Sequence, residues 1–267
     1  MDRKIGFIGL GNMATAIMGG LLAKKMAKPE CIIGYDKFEK AAKKAAENYN
    51  ITTVINEKAV AEAAEVLFLA VKPNVLPEVL KKIGPSVDKK TVIISIAAGK
   101  SLAFLEEGLG RKDLKIVRTM PNTPALVLEG CTGVCVNDNV TEEETKEVLD
   151  LLGAFGRASL LPEKLMDVVV GISGSSPAYV FMFIEAMADA AVAAGMPRAQ
   201  AYEFSAQAVL GSAKLLLETG KHPGELKDMV CSPGGTTIQA VKVLEEMGFR
   251  AAIMDAVEAC IEKSKNI

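Results

Sequence analysis

The most constraining feature of the sequence is a glycine-rich turn close to its start. The segment Gly9-Leu10-Gly11-Asn12-Met13-Ala14 follows an apolar run and opens a helical pattern. In a strand–turn–helix unit, the glycines allow a tight turn and the close approach of a pyrophosphate, and a small last residue lets helix and strand pack closely. The N–H groups at the start of the helix then face the phosphates. The motif predicts a dinucleotide site; the alternative is a tight turn in a sheet that binds no nucleotide.

Short apolar runs alternate with helical patterns up to about residue 162. The predicted strands are Lys4–Ile8, Cys31–Tyr35, Ile51–Val54, Val66–Val71, Thr91–Ile96, Lys115–Arg118 and Gly133–Val136. The predicted helices are Met13–Met26, Lys37–Glu47, Pro73–Ile83 and Glu142–Leu152. Continuous apolar strands such as Val66–Val71 are typical of a parallel sheet that is buried on both faces. The alternation predicts a doubly wound α/β fold of the Rossmann type.

Beyond residue 162 the strand signals disappear and helical periodicity dominates. Helices are predicted at Pro177–Ala194, where Ser176 would be the N-cap, and at Arg198–Glu218, Gly224–Val230, Thr236–Met247 and Phe249–Lys263. The stretch Tyr179–Ala194 is apolar on almost every side. It is shorter than a transmembrane helix, which needs about 20 residues to cross a bilayer. A helix of this kind is buried in a core or against another subunit. We therefore expect a dinucleotide-binding domain at 1–162 and an all-helical substrate and dimerisation domain at 163–267.

Composition excludes several classes of protein. The chain has 267 residues, with 31 basic and 33 acidic side chains and a formal charge of −2, so it lacks the basic excess of a nucleic-acid binder. The five cysteines are scattered without a C-x-x-C pair, which argues against a disulfide framework or a zinc site and favours reduced thiols buried as small hydrophobic groups. No metal and no membrane association are expected, and a cytoplasmic location is predicted.

Several residues lie at the carboxyl ends of predicted strands, where open α/β sheets bind ligands. Asp36 comes directly after the second predicted strand, where an acidic residue binds the ribose hydroxyls of NAD. Lys37 beside it is suited to binding the 2′-phosphate of NADP instead. A third interpretation makes Asp36 the N-cap of the next helix. Lys72 ends the fourth strand and faces either the cofactor or solvent. The small residues of Ser95–Gly99 suit a backbone that approaches a nicotinamide ring.

The sequence contains no conventional catalytic constellation. His222 is the only histidine, and a helix-capping or surface role suits it better than catalysis. The segment Ser232-Pro233-Gly234-Gly235-Thr236-Thr237 opens a predicted helix, so its N–H groups are suited to a carboxylate. The alternative for this segment is an ordinary Ser/Thr helix cap.

Taken together, these segments resemble the pyrroline-5-carboxylate reductase family over essentially the whole chain. The resemblance rests on the glycine motif, on Phe68–Pro73, on Arg118-Thr119-Met120-Pro121-Asn122-Thr123-Pro124 and on Ser173-Gly174-Ser175-Ser176-Pro177-Ala178-Tyr179. The most specific part is His222–Asp228 followed by Ser232–Thr237. The resemblance implies NADPH- or NADH-dependent reduction of 1-pyrroline-5-carboxylate to L-proline, the last step of proline biosynthesis. Gly34-Tyr35-Asp36-Lys37 departs from the family by lacking a hydroxyl residue before the basic one, which leaves the choice of cofactor open.

The resemblance also implies roles for individual residues. Those expected to bind the cofactor are Ile8, Gly9, Leu10, Gly11, Asn12, Met13, Asp36, Lys37, Asn56, Ala70, Val71, Lys72, Pro73, Ala97, Ala98 and Gly99. Those expected to line the substrate pocket are Met120, Pro121, Asn122, Ser175, Ser176, Gly234, Gly235, Thr236 and Thr237. The last loop would come from the partner subunit of an interlocked homodimer, or of a higher oligomer built from such dimers.

The expected chemistry requires little acid catalysis. The imine nitrogen of the substrate is itself basic, so the electrophilic iminium ion can arrive from solution, and the enzyme has to orient a hydride donor against the ring carbon C5. Thr237 is then the catalytic residue, as a hydroxyl that orients the ring nitrogen. Two rival interpretations are a hydroxy-acid dehydrogenase of the 3-hydroxyisobutyrate or 6-phosphogluconate type, for which no catalytic lysine stands out, and a non-enzymatic nucleotide-binding scaffold.

Overall fold

Residues 3–266 are described by a computed structural model of the chain. Eight strands form one sheet in the order β3-β2-β1-β4-β5-β6-β7-β8. All neighbouring strands are parallel except β6 and β7. The strands are β1 (Ile5–Ile8), β2 (Ile32–Tyr35), β3 (Thr52–Thr53), β4 (Val66–Leu69), β5 (Val92–Ser95), β6 (Lys115–Met120), β7 (Gly130–Val136) and β8 (Gly156–Leu160). The predicted doubly wound, Rossmann-type sheet is confirmed.

Six α-helices accompany this sheet in the part of the chain before residue 162. They are α1 (Asn12–Ala23), α2 (Glu39–Tyr49), α3 (Glu57–Ala63), α4 (Leu76–Ile83), α5 (Leu102–Leu109) and α6 (Glu142–Leu152). The helices α3 and α5 and the strand β8 were not predicted from the sequence. The two helices have only 7 and 8 residues, too few for a clear 3.6-residue period, and β8 contains no buried residue, so it lacks the apolar run of the other strands.

Two predicted helices begin later than expected, each because a turn precedes it. The predicted Lys37–Glu47 helix begins at Glu39, since the Phe38 N–H donates to the carboxylate of Asp36 at 2.8 Å and so forms a turn. The predicted Pro73–Ile83 helix begins at Leu76, since the residues before it form a turn in which Val75 N donates to the Lys72 carbonyl at 2.9 Å.

The core lies on both faces of the sheet. Alternate residues of β1 face opposite sides: Ile5 and Phe7 join a cluster that includes α1, while Ile8 joins a cluster that includes α4. All four residues of β1 and of β4 are buried. The Phe7 and Phe68 rings stack at 4.8 Å between centroids. The central strands are thus covered from both sides, as their continuous apolar sequence predicted.

The remaining helices follow residue 162. They are α7 (Met166–Val169), α8 (Ser176–Ala193), α9 (Arg198–Thr219), α10 (Pro223–Val230), α11 (Thr236–Glu246) and α12 (Phe249–Lys265). A π-helical segment, Val170–Gly174, leads from α7 to α8. The run Glu163–Ala193 is therefore helical over 31 residues, with a bend at Ser175. The α-helix after this bend begins at Ser176 and not at Pro177 as expected.

The length of this helix also corrects the expectation about membranes. By length and composition alone, Glu163–Ala193 is long and apolar enough to cross a bilayer, so the judgement that the apolar segment is too short is wrong. Helices that pack in protein interiors or interfaces share this composition, and a single such helix is weak evidence for a membrane span.

The chain divides into two compact units. One contains the described residues up to Ser175 together with those from Cys260 onward, and the other is Ser176–Ala259. In the second unit, which we call the helical unit, the buried residues are Ala188, Ala201 and Ser205. Large apolar side chains are exposed on its helices, among them Phe181, Met182, Phe204, Met229 and Met254. An apolar surface of this extent is unusual for a monomeric protein.

The first of these units, which contains the eight strands and which we call the sheet unit, offers a direct test of helix capping at α6. Thr141 accepts the Glu144 N–H through its hydroxyl oxygen at 3.2 Å, and the Glu144 carboxylate accepts the Thr141 N–H at 3.1 Å. We predict that Thr141→Ala lowers the free energy of unfolding by about 1 kcal/mol, because it leaves a helix N–H without its partner. Thr141→Ser keeps the hydroxyl and serves as the control. Equal urea midpoints for the alanine variant and the wild type would contradict the prediction.

Candidate active site

The glycine turn is held between the ends of three strands. Gly9 N donates to the Tyr35 carbonyl at 2.8 Å, and Ala70 N donates to the Ile8 carbonyl at 2.8 Å. Gly9 has φ +94°, and a Cβ built there would lie 2.6 Å from the Ala70 carbonyl oxygen. No residue other than glycine satisfies both conditions without a shift of the backbone.

Gly11 has a different reason to be glycine. Its φ of −75° suits any residue, and a Cβ built on it would meet nothing within 4 Å. Gly11 is also the N-cap of α1 and contributes no side-chain cap. The first N–H groups of a twelve-residue helix therefore open beside an empty, exposed position, the arrangement that suits a pyrophosphate.

Asp36 connects β2 to the glycine turn. One carboxylate oxygen accepts the Leu10 N–H at 2.8 Å and the other accepts the Phe38 N–H at 2.8 Å. Phe38, and not Asp36, is the N-cap of α2, so the capping alternative for Asp36 is wrong. The carboxylate instead holds the end of β2 against the glycine turn.

The other predicted cofactor residues follow neighbouring strands. Lys72 is exposed, Ala97 is buried and Gly99 has φ +71°. Asn56 follows β3 and caps α3, with its Oδ1 accepting the Ala59 N–H at 2.8 Å. Because β2, β1, β4 and β5 are consecutive and parallel in the sheet, the segments after them share one edge. The predicted residues that line this edge are Ile8, Gly9, Leu10, Gly11, Asn12, Met13, Asp36, Lys37, Ala70, Val71, Lys72, Pro73, Ala97, Ala98 and Gly99.

Part of the predicted substrate pocket also lies in the sheet unit. Asn122, at the end of β6, is 8% exposed, and both ends of its amide are occupied. Its Nδ2 donates to the Ser173 carbonyl at 3.0 Å, and its Oδ1 accepts the Cys131 N–H at 2.8 Å. A Cβ on Gly174 would lie 2.9 Å from the Met120 methyl group. The segment after β6 and the π-helical segment therefore lie in contact, and the two hydrogen bonds of the Asn122 amide hold its own segment against Ser173 and Cys131.

Ser175 has a partner that no sequence pattern indicated. The Cys260 thiol of α12 donates to the Ser175 hydroxyl oxygen at 3.0 Å, across 85 residues of sequence. One turn further on, Ser264 donates to the Asp167 carboxylate at 2.7 Å. The last turns of α12 thus pack against α7 and the π-helical segment, and they hold the hydroxyl of Ser175 in one orientation.

The remaining substrate loop belongs to the helical unit. Gly234 has φ +69°, and Gly235 is the N-cap of α11 without any side-chain cap. A Cβ on Gly235 would lie 2.5 Å from the Ser232 hydroxyl oxygen and 3.1 Å from the Ser232 carbonyl oxygen, so any larger residue there requires Ser232 to shift. Thr236 and Thr237 begin the helix, and Thr237 is half-buried. The alternative of an ordinary Ser/Thr cap is wrong, because a glycine occupies the cap position.

His222 has a structural role. Its Nδ1 accepts the Gly224 N–H at 3.1 Å and caps α10, as the capping alternative predicted. Within residues 3–266, no group of three or more His, Cys, Asp and Glu side chains is placed to hold a metal ion.

The five cysteines are free, but only two of them are buried as the sequence analysis expected. Cys31 and Cys135 are buried, whereas Cys131 is exposed and Cys231 and Cys260 are half-buried. Burial raises the pKa of the Cys135 thiol to about 11, so it remains protonated and unreactive at neutral pH.

Comparison with known proteins assigns the chain to one class of enzyme. A family model for pyrroline-5-carboxylate reductase dimerisation matches residues 163–267, and a model for NADP oxidoreductase, coenzyme F420-dependent, matches residues 4–99. The pyrroline-5-carboxylate reductase of Escherichia coli (strain K12) is 54% identical over 267 residues, covering 100% of this chain and 99% of that one.

Solved structures give the same result. A pyrroline-5-carboxylate reductase from Coxiella burnetii has a TM-score of 0.93 at 34% identity, covering 100% of this chain and 98% of that one. The Plasmodium falciparum pyrroline carboxylate reductase with NADP bound has a TM-score of 0.89 at 35% identity, covering 99% and 98%. The fold and the matched domains define an NAD(P)H-dependent oxidoreductase with a helical dimerisation domain. The chain belongs to the pyrroline-5-carboxylate reductase family.

The open space at Gly11 generates a prediction about cofactor binding. Gly11→Val should fold normally, because its Cβ meets no atom of the protein, yet lose NADPH and NADH binding, because the side chain occupies the space of the pyrophosphate. The measurement is fluorescence titration of the folded variant. Gly153→Val is a matched control, since a Cβ at Gly153, beyond α6, also meets nothing within 4 Å. Unchanged affinity in Gly11→Val would refute the assignment of this turn.

Proposed function

We propose that the chain reduces 1-pyrroline-5-carboxylate to L-proline by transfer of a hydride from NADPH or NADH to the imine carbon C5. The observation that carries this proposal is the full-length identity of 54% to a pyrroline-5-carboxylate reductase, which extends through both the sheet and the helical part. This agreement favours imine reduction over the hydroxy-acid dehydrogenase alternative.

The residues present at the edge of the sheet fit a bound dinucleotide. Gly11 leaves room at the start of α1, and the residues after β4 and β5 include the small Ala70, Ala97, Ala98 and Gly99. We assign the pyrophosphate to Ile8, Gly9, Leu10, Gly11, Asn12 and Met13, the adenosine to Asp36, Lys37 and Asn56, and the ribose and nicotinamide to Ala70, Val71, Lys72, Pro73, Ala97, Ala98 and Gly99. The bound cofactor supplies the hydride, and these residues hold and orient it.

The substrate carboxylate is assigned to the N-terminus of α11. Gly234 and Thr236 present backbone N–H groups there without a competing side-chain cap, and a helix N-terminus favours an anion. The Gly235 N–H donates to the Ser232 carbonyl at 3.0 Å, so Gly235 shapes the turn that presents these two groups. Thr237 is left to orient the ring nitrogen with its hydroxyl. We assign Met120, Pro121, Asn122, Ser175 and Ser176 to the walls of the pocket, with Asn122 holding the wall in place through its two backbone partners.

The proton for the ring nitrogen comes with the substrate. A protonated imine is the electrophile, so the protein has to bind and orient the iminium ion and to exclude other geometries. Thr237 accomplishes this by a hydrogen bond and does not titrate. The reaction therefore depends on position more than on a group with a shifted pKa.

The protein is proposed to function as a cytoplasmic homodimer, or as a higher oligomer of dimers, without nucleic-acid or membrane partners. The start of the dimerisation family model at residue 163 supports the division into a dinucleotide-binding domain at 1–162 and a helical domain at 163–267. The exposed apolar side chains of the helical unit support self-association. The formal charge of −2 supports the absence of nucleic acid.

The activity is tested by following NADH and NADPH oxidation when 1-pyrroline-5-carboxylate is added. Oxidation that depends on both substrate and enzyme, with proline as product, is the expected result. The control reaction contains 3-hydroxyisobutyrate or 6-phosphogluconate with NAD or NADP. Reduction of the dinucleotide in that control, without imine reduction, would replace the proposal by the dehydrogenase alternative.

Thr237→Ala is predicted to lower kcat/KM by about 10–100-fold, because a lost hydrogen bond loosens the orientation of the ring. The affinity for NADPH and NADH should be unchanged, and the pH profile should keep both of its limbs, since an orienting hydroxyl does not titrate. Thr237→Ser retains the hydroxyl and is the control. Wild-type activity in the alanine variant would show that the loop is only structural.

The exposed helices predict self-association. We expect light scattering at micromolar concentration to give at least the mass of a dimer, and Phe181→Glu to shift the mass towards that of the monomer, because a charge then enters an apolar interface. Ile55→Glu changes a side chain that is 89% exposed in the sheet unit and should leave the mass unaltered. A fully active wild-type monomer would disprove the interface.

A further inference from the structure

The carboxylate of Asp36 combines a fixed position with unused hydrogen-bonding capacity. Its two oxygens accept the Leu10 and Phe38 N–H groups, each at 2.8 Å. A carboxylate has about four lone-pair sites, so about two remain. Asp36 is half-buried at the carboxyl end of β2, and its two backbone partners hold it beside the glycine turn.

The chemistry of these remaining sites distinguishes the two cofactors. The adenosine ribose of NADH carries two hydroxyl groups, both of which can donate to a carboxylate oxygen. The 2′-phosphate of NADPH offers no such donor in its ionised form, and its negative charge is repelled by the carboxylate. Because Asp36 is tied to the backbone on both sides, it cannot swing away to make room.

The surroundings of Asp36 do not supply the cation that a 2′-phosphate requires. No arginine occurs between Arg3 and Arg111, a span that contains β1 to β5 and the turns directly after them. A guanidinium group is the usual partner of that phosphate. From Asp36 to Lys40 the charges cancel, since two carboxylates alternate with two lysines.

The lysines after β2 and β3 do not reverse this balance. Lys43 lies 4.0 Å from Glu47, and Lys58 lies 3.6 Å from Glu62. Lys37 is exposed on a flexible stem, where an ammonium group is strongly hydrated and screened by salt. The attraction of the solvated Lys37 for a 2′-phosphate is therefore weaker than the repulsion by the carboxylate of Asp36, which is held in place.

We infer that Asp36 makes this chain prefer NADH to NADPH. The inference rests on the proposed function, because it concerns the dinucleotide site of the reductase. Asp36 is thus a specificity-determining residue, which accepts the ribose hydroxyls and rejects the 2′-phosphate.

The experiment compares dissociation constants for the two cofactors in the full-length protein, by nicotinamide fluorescence. We expect wild type to bind NADH about tenfold or more tightly than NADPH, and the ratio to approach one as salt is raised. Asp36→Asn removes the charge and keeps an acceptor for a backbone N–H, so the ratio should shift about tenfold towards NADPH. Any weakening that comes from a looser glycine turn affects both cofactors and cancels in the ratio.

Glu39→Gln is the matched control, because it removes a neighbouring negative charge that makes no contact with the glycine turn, and its ratio should equal that of wild type. If Asp36→Asn does not fold, the wild-type ratio and its salt dependence still decide the matter. Equal or tighter binding of NADPH by wild type, or an unchanged ratio in folded Asp36→Asn, would overturn the inference.

A second pair of probes separates this inference from the proposed function. ADP-ribose and its 2′-phosphate contain the discriminating group and lack the nicotinamide, so calorimetry with them requires no imine chemistry. Tighter binding of ADP-ribose supports the role of Asp36 even in a protein that fails to reduce 1-pyrroline-5-carboxylate. Equal binding of both probes, in a protein that is active with the imine, overturns the role of Asp36 and leaves the proposed function intact.

Discussion

The parallel pairing of β1 with β4 is the interaction on which the site depends. The two strands are buried on both faces and pair from Ile5 with Val66 to Ile8 with Leu69. The helix after β1 packs in one core cluster and the helix α4 after β4 in the other. The segments that follow β1 and β4 therefore leave the sheet towards opposite faces, and a crevice opens between them at its carboxyl edge. The tight turn at Gly9, pressed against the Ala70 carbonyl, is a consequence of this pairing.

The helical unit is governed by a different constraint, because its helices bury almost nothing by themselves. A unit of 84 residues that buries three of them cannot obtain its stability from a core of its own. A second subunit that covers these helices would link folding to assembly, and the apparent stability would then depend on protein concentration. The same arrangement explains why α8 has no polar side.

The proposed chemistry is compatible with a site that contains few titratable groups. In the proposed reaction, backbone N–H groups at the starts of α1 and α11, the hydroxyl of Thr237 and the amide of Asn122 position charges and rings without exchanging protons. Such groups cost little reorganisation during reaction, because they are already hydrogen-bonded or held by a helix. Asp36 follows the same pattern, since its contacts to the backbone decide what its free lone pairs can bind.

The sequence by itself determined the fold class, the place of the glycine turn and the helical character of the part after residue 162. These features depend on local periodicity and turn chemistry, which a single chain segment expresses on its own. Strongly patterned elements such as α6 were predicted to the residue, whereas the short α3 and α5 and the polar β8 were missed.

Only the tertiary structure decided which distant partners the polar side chains of the sheet unit have. Asp36 reaches Leu10 across 26 residues, Asn122 reaches Ser173 across 51, and Cys260 reaches Ser175 across 85. A carboxylate, an amide or a thiol has many acceptable partners, and its own segment does not select among them. The partner is chosen by the packing of strands and helices that bring distant residues within hydrogen-bonding distance, because a buried polar group must find a partner there.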